Sequence, residues 1–227
     1  METKRERRIR LIIFDFDGTL GDTRQNILTT MRQTMEERGL DIADETACVA
    51  TIGLPLAACF RELYPALSDE EIDACADTYR RLFDINKKHL KPTLFPHVAE
   101  TLRHLHGQGL TLTVASSRSS ASLREFLDEM GIAEYISYVV GADDVTHAKP
   151  DPEPVLKTLA ALGIPADKTL VVGDMPVDVL MGKGAGTLTC GVTYGNATRE
   201  EIEEAGAGFI IDSMDELTGI IMNIINQ

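Results

Sequence analysis

Asp15 and Asp17 stand two residues apart, where the apolar run Arg10-Leu11-Ile12-Ile13-Phe14 gives way to Asp15-Phe16-Asp17-Gly18-Thr19-Leu20. Residues i and i+2 of a strand project to the same side, so both carboxylates can face one site. One can attack as a nucleophile while the other gives or takes a proton. Those roles need different protonation states, and hence coupled titrations that are pushed apart. Farther along, Gly173-Asp174 closes a second apolar run, residues 169–172, and Asp178 follows one helical turn later. Carboxylates gathered without His or Cys suit a hard cation such as Mg2+. Ser116, after the apolar residues 110–115, adds a hydroxyl, and Lys149 adds a cation. Each feature alone has an ordinary explanation. Asp-Gly makes turns, acids and serines cap helices, and a Lys before Pro is commonly a solvated surface residue. Together they are the parts that phosphoryl transfer needs, since it depends on in-line positioning and on neutralising charged oxygens.

What must position these parts is an alternation of strands and helices. Residues 10–14, 110–115, 138–140, 169–172, 188–192 and 209–211 read as short, mostly apolar strands, the first of them continuously apolar from Leu11 to Phe14 and so read as buried. Residues 98–108, 122–130, 154–162 and 177–185 read as the intervening helices. This pattern specifies an α/β fold with a parallel, Rossmann-like sheet. Ligands of such sheets bind outside the carboxyl ends of the strands, which is where Asp15, Ser116, Lys149 and Asp174 fall.

Residues 23–89 break the alternation and are helical. Ile27, Met31 and Met35 recur every fourth residue on one helix face, and Gly39 is placed to end that helix. Pro55 suits the first turn of a further helix, and Ser68-Asp69-Glu70-Glu71 reads as a capping box opening one that runs to about Lys88. The block reads as an insertion. Residues 1–20 and 92–227 then form the α/β core domain, and residues 21–91 an α-helical cap domain.

Composition narrows the partners. A net charge of −14, from 36 acidic and 22 basic residues, offers no basic footprint for nucleic acid. The apolar run 11–14 is too short for a secretory signal, and no stretch approaches the roughly 20 apolar residues of a membrane helix. The expectation is a cytoplasmic protein with no nucleic-acid or membrane partner, a monomer or weak homodimer. Cys48, Cys59, Cys75 and Cys190 show no CxxC pattern and no His at zinc spacing, and are expected as reduced thiols without a catalytic role.

The four segments resemble the motifs of the haloacid dehalogenase-like hydrolase superfamily. Asp15-Phe16-Asp17-Gly18-Thr19-Leu20 resembles the first motif and Ser116 after Leu112-Thr113-Val114-Ala115 the second. Lys149-Pro150-Asp151-Pro152 resembles the third and Gly173-Asp174-Met175-Pro176-Val177-Asp178 the fourth. The similarity spans nearly the whole chain and is greatest toward the branch of phosphoglycolate phosphatase and inorganic pyrophosphatase, with its small α-helical cap. The resemblance implies Asp15 as nucleophile and Asp17 as general acid/base. It implies Mg2+ on Asp15, the Asp17 carbonyl and Asp174, with Asp178 either a direct ligand or one contact removed from the ion. It implies Ser116, Ser117, Lys149, Gly18 and Thr19 around the phosphoryl group, and Gly53 and Leu54 in a cap loop that selects substrate. The substrate class it implies is a small phosphorylated metabolite, phosphoglycolate first. Two departures are Ser117-Arg118, where relatives often carry Asn-Lys, and Met181, where many carry Ala.

Rivals share these motifs. A β-phosphoglucomutase-like enzyme usually has an Arg in the cap loop, whereas residues 51–56 hold none before Arg61. A phosphonoacetaldehyde hydrolase needs a cap lysine for a Schiff base, and Lys87, Lys88 and Lys91 read as solvated residues near the second hinge. A phosphate-binding module that has lost the reaction is the alternative of another class.

Overall fold

The computed structural model describes residues 9–225; the ends of the expected core domain, residues 1–8 and 226–227, lie outside the described residues. In chain order the strands are β1 (Leu11–Phe14), β2 (Gly21–Asp22), β3 (Thr93–Leu94), β4 (Thr111–Ala115), β5 (Ile136–Val140), β6 (Thr169–Gly173), β7 (Leu188–Val192) and β8 (Phe209–Ile211). Six of them form one sheet in the order β5-β4-β1-β6-β7-β8, with all neighbouring pairs parallel. The α/β expectation therefore holds. β1 lies inside the sheet, between β4 and β6, and all four of its residues are buried. Ile12 and Phe14 pack into the cluster on one face, and Leu11 and Ile13 into the cluster on the other. A strand covered on both faces has no position for a polar residue, which is why its sequence is apolar without alternation. Burying each such side chain contributes about 1.5–3 kcal/mol.

The helices are α1 (Arg24–Arg38), α2 (Glu45–Ala50), α3 (Leu56–Leu63), α4 (Asp69–Asn86), α5 (Val98–Gly107), α6 (Ser120–Glu129), α7 (Glu153–Leu162), α8 (Pro176–Gly184), α9 (Arg199–Glu204) and α10 (Glu216–Ile225). One face of the sheet is covered by α5, α6 and α10, through Leu102, Phe126 and Leu217 among others. The opposite face takes Val155 of α7 and Met181 of α8. The apolar C-terminal helix packs on the core, with Leu217, Ile221 and Ile224 buried. No helix among the described residues is long and apolar enough to cross a membrane.

Local signals set several helix ends. Gly39 follows α1 in the left-handed conformation, φ 67°, and its N–H and that of Leu40 take up the carbonyls of the last turn. Ser68 and Glu71 exchange hydrogen bonds as a capping box at the start of α4, which ends at Asn86, two residues before the expected Lys88. Pro55 stands immediately before α3 rather than inside its first turn. The helix after β4 begins at Ser120, not Ser122, because Ser119 accepts from the Ser122 N–H and caps it. The short helices α2 and α9 and the two-residue strands β2 and β3 carry too few residues to show a period.

Between β2 and β3, which pair antiparallel, the chain is all helical. Phe60, Ile72 and Cys75 form a core of that block with Leu40, Tyr64 and Tyr79 around them. Phe83 of α4 reaches the main core and packs its ring against Phe126 of α6, centroids 6.1 Å apart. Lys87 is not the solvated residue that its position suggested: it pairs with Glu125 of α6 at 2.7 Å.

Candidate active site

The site forms where β1 and β6 end. The Asp15 N–H donates to the Val172 carbonyl, a last ladder bond that fixes Asp15 at the strand tip. The chain then turns sharply, and the Phe16 carbonyl accepts from Thr19, Leu20 and Gly21. Gly18 serves this turn for two reasons. Its φ is 90°, and a Cβ there would lie 2.1 Å from Asp174 Oδ2.

Three carboxylates and one ammonium converge at the turn. One oxygen each from Asp15, Asp174 and Asp178 lies within 4.8 Å of the others, and all three residues are buried. Lys149 Nζ donates to Asp15 Oδ1 at 2.5 Å and to Asp178 Oδ1 at 2.7 Å. Asp178 Oδ2 accepts from the Met175 N–H, so this acid also caps α8. Asp174 Oδ1 accepts from Thr19 Oγ1 at 3.0 Å, and Oδ2 from the Asn196 N–H and side-chain amide at 2.8 and 2.9 Å.

The charges do not balance. Three carboxylates face one lysine, and burial makes any excess costly. Burial, with Asp178 adding to it, pushes Asp174 up to about 7. Burial likewise holds Asp15 well above the carboxylate range, against the pull of Lys149 and with a push from Asp178, Asp174 and Asp17. Burial disfavours the Lys149 ammonium, but Asp15 and Asp178 outweigh it and raise its pKa. An excess of two negative charges on oxygen donors, with no nitrogen or sulfur donor in the cluster, fits a hard divalent cation.

This excess has a consequence for the metal-free chain. With Asp174 raised from 3.8 to about 7, the folded chain binds more protons than the unfolded chain between those values. Its contribution is fully present below the lower value and is lost as the pH rises through the upper one. The melting temperature in EDTA is therefore expected to rise as the pH is lowered from about 8 to about 5. With Mg2+ the profile should be flatter. A melting temperature in EDTA that does not rise on acidification would contradict the charge excess.

Asp17 takes different partners from Asp15. Arg118 grips it with Nε at 2.7 Å from Oδ2 and Nη2 at 2.7 Å from Oδ1, and Thr23 Oγ1 donates to Oδ1. The guanidinium lies 4.7 Å from the Phe83 ring centroid and 4.9 Å from that of Phe126. The cap and the core thus both touch the group that holds Asp17.

The remaining expected residues divide. Ser116 is buried and its Oγ accepts from the Arg118 N–H. Ser117 Oγ donates to the Gly53 carbonyl at 2.5 Å, joining the loop after β4 to the cap loop. Leu54 lines a cavity beside Ser117 and Arg118. A Cβ on Gly53 would be 3.4 Å from Val177, so the cap loop spans from the Ser117 loop to the start of α8. Thr19 and Gly18 sit against Asp174. Sequence reasoning passed over Asn196 and Thr23, and noted Arg118 only as a departure. Asn196 was within reach of the strand-end rule, because it lies in the loop after β7. The four cysteines are buried and unpaired, and burial pushes Cys59 up to about 11, away from thiolate chemistry.

The chain is similar to known proteins along nearly its whole length. A family described as haloacid dehalogenase-like hydrolase matches residues 12–192. The Dickeya dadantii protein named "Probable phosphatase IndB" is 38% identical over 211 residues, 92% of each chain. Phosphoglycolate phosphatase of Salmonella typhimurium is 33% identical over 229 aligned residues, 92% of this chain and 91% of that one. The crystal structure of a predicted phosphatase from Clostridium acetobutylicum superposes with a TM-score of 0.87 at 26% identity, covering 95% of this chain and 99% of the other. Matched along nearly its full length in sequence and in fold, this chain belongs to the haloacid dehalogenase-like hydrolases, in the phosphatase branch that resembles phosphoglycolate phosphatase.

Proposed function

We propose that the chain hydrolyses a small phosphomonoester with Asp15 as nucleophile, through an aspartyl-phosphate, and that Mg2+ is held by Asp15, Asp174, Asp178 and the Asp17 carbonyl. Residues 21–91 act as the cap in this reading, and the β2–β3 pair as its hinge. The observation that carries it is the buried excess of carboxylate around Asp15 at a strand tip, with Lys149 bound to Asp15 itself. Bound Mg2+ would supply charge neutralisation at the phosphoryl oxygens.

The chain's own residues do the rest. Lys149 occupies Asp15 Oδ1 and orients the carboxylate, leaving Oδ2 to form the bond to phosphorus. As that bond forms, the ester P–O bond breaks and Asp17 gives its proton to the leaving oxygen. Asp17 then takes a proton from water, the water oxygen bonds to phosphorus, and the Asp15–phosphorus bond breaks. To do this Asp17 gives up the Thr23 contact on Oδ1 for the reacting oxygen and keeps Arg118 Nε on Oδ2. Ser116 and Lys149 balance charge on the phosphoryl group. The transferase alternative would need a cation for a second phosphate in the cap, and Arg61 is paired instead with Asp69 at the surface.

The test is phosphate release from phosphoglycolate, pyrophosphate and monoesters of neutral alkyl alcohols, with Mg2+ and with EDTA. Release that depends on Mg2+, with phosphate trapped on Asp15 after a rapid acid quench, is expected. Release that EDTA leaves untouched would overturn the proposal.

A further inference from the structure

A cavity of about 580 Å3 lies between the helical block and the loop after β4. Ile27 and Met31 of α1, Leu54, Leu56, and Tyr79 and Phe83 of α4 form much of its wall. It opens beside Ser117 and Arg118, the residues that follow Ser116 and grip Asp17, so it adjoins the point where the leaving group departs. At about 30 Å3 per water, such a volume holds roughly 20 waters. A two-carbon acid or a second phosphate would leave most of it empty.

Its charges argue the same way. Two cations line it, and both are paired: Arg118 with Asp17 at 2.7 Å and Arg80 with Asp77 at 2.7 Å. The other charged residues of its lining are Asp84 and Asp143. A carboxylate or phosphate entering here would meet two acids and no free cation among the described residues, and would lose its water without replacement. An apolar body would instead displace water from apolar walls. We infer that the leaving group of the natural substrate is a neutral, largely apolar alcohol or phenol of several carbons, and not a second anionic group. The inference rests on the phosphatase reading above, and it narrows the substrate class of that same site.

The test compares kcat/KM in Mg2+ for ethyl phosphate, n-hexyl phosphate, phosphoglycolate and pyrophosphate. Each buried methylene is worth up to about fourfold. Hexyl phosphate is therefore expected to exceed ethyl phosphate by at least about tenfold, with phosphoglycolate and pyrophosphate below ethyl phosphate. Ala57 lines the cavity from the first turn of α3. Filling it by Ala57→Trp should bring the hexyl-to-ethyl ratio down toward one. If phosphoglycolate or pyrophosphate outruns hexyl phosphate, the phosphatase reading stands and the inference is overturned. If the folded protein turns over none of the four, both fall. Should the Trp variant not fold, the wild-type ratio alone decides.

Discussion

Replacing Asp15 with Asn is expected to lower kcat by at least about 10^4-fold, because the group lost is the one that forms the covalent bond. The same change is expected to leave the melting temperature in EDTA unchanged or raised. Asn keeps the shape of the side chain and its hydrogen-bonding capacity. It also removes one of three buried carboxylates that share a single lysine, and Lys149 keeps Asp178 as its partner. Activity thus falls with no loss of stability, which a merely structural aspartate would not produce. The variant should also lose much of the rise in melting temperature that Mg2+ gives the wild type, since the cluster falls from three carboxylates to two. Steady-state kinetics and paired thermal scans check all three outcomes. Activity near wild type would place the nucleophile elsewhere, and a melting temperature several degrees lower would mean that Asp15 is held by something other than the balance described.

Lys149→Met is the counterpart. Here the buried cation goes and three carboxylates remain. Removing one partner of a buried, hydrogen-bonded ion cluster costs about 3–5 kcal/mol. The loss should be greatest in EDTA above neutral pH, and smaller with Mg2+ or in acid, either of which neutralises the carboxylates. On catalysis, losing a preorganised donor at the reacting centre costs about 10^2–10^3 in kcat. Urea denaturation at two pH values, each with and without Mg2+, reads the stability term. A variant as stable as wild type in EDTA at pH 8 would show that the carboxylates do not carry the excess charge assigned to them.

Arg118 shows what a motif leaves unread. Beside Ser116 and Ser117 it was a departure from a pattern, with no assigned partner. In the fold it grips Asp17 across 101 residues of sequence and lies between Phe83 of the helical block and Phe126 of α6. The residue proposed as acid/base is thereby tied to the position of that block. Nothing in residues 116–118 states this, because the aromatic faces come from α4 and α6.

The chain's order of strands and helices was legible because the sheet strands are short and mostly apolar, β1 without interruption, and the longer helices carry a buried stripe. Those local periods need no knowledge of distant residues. The positions of Asp15, Ser116, Lys149 and Asp174 were legible for a second local reason: a parallel sheet gathers the ends of its strands on one edge. What sequence could not supply were the partners. That Thr19 and Asn196 hold Asp174, that Ser117 fastens the Gly53 carbonyl and that Lys149 joins Asp15 to Asp178 are contacts between segments that meet only in the folded chain. The same holds for the excess of buried charge. Sequence counts carboxylates, but only burial in three dimensions decides that Asp15 and Asp174 resist ionising in the metal-free chain. The residue types were therefore set locally, and their chemistry was set by desolvation and by neighbours that the tertiary fold alone brings within hydrogen-bonding distance.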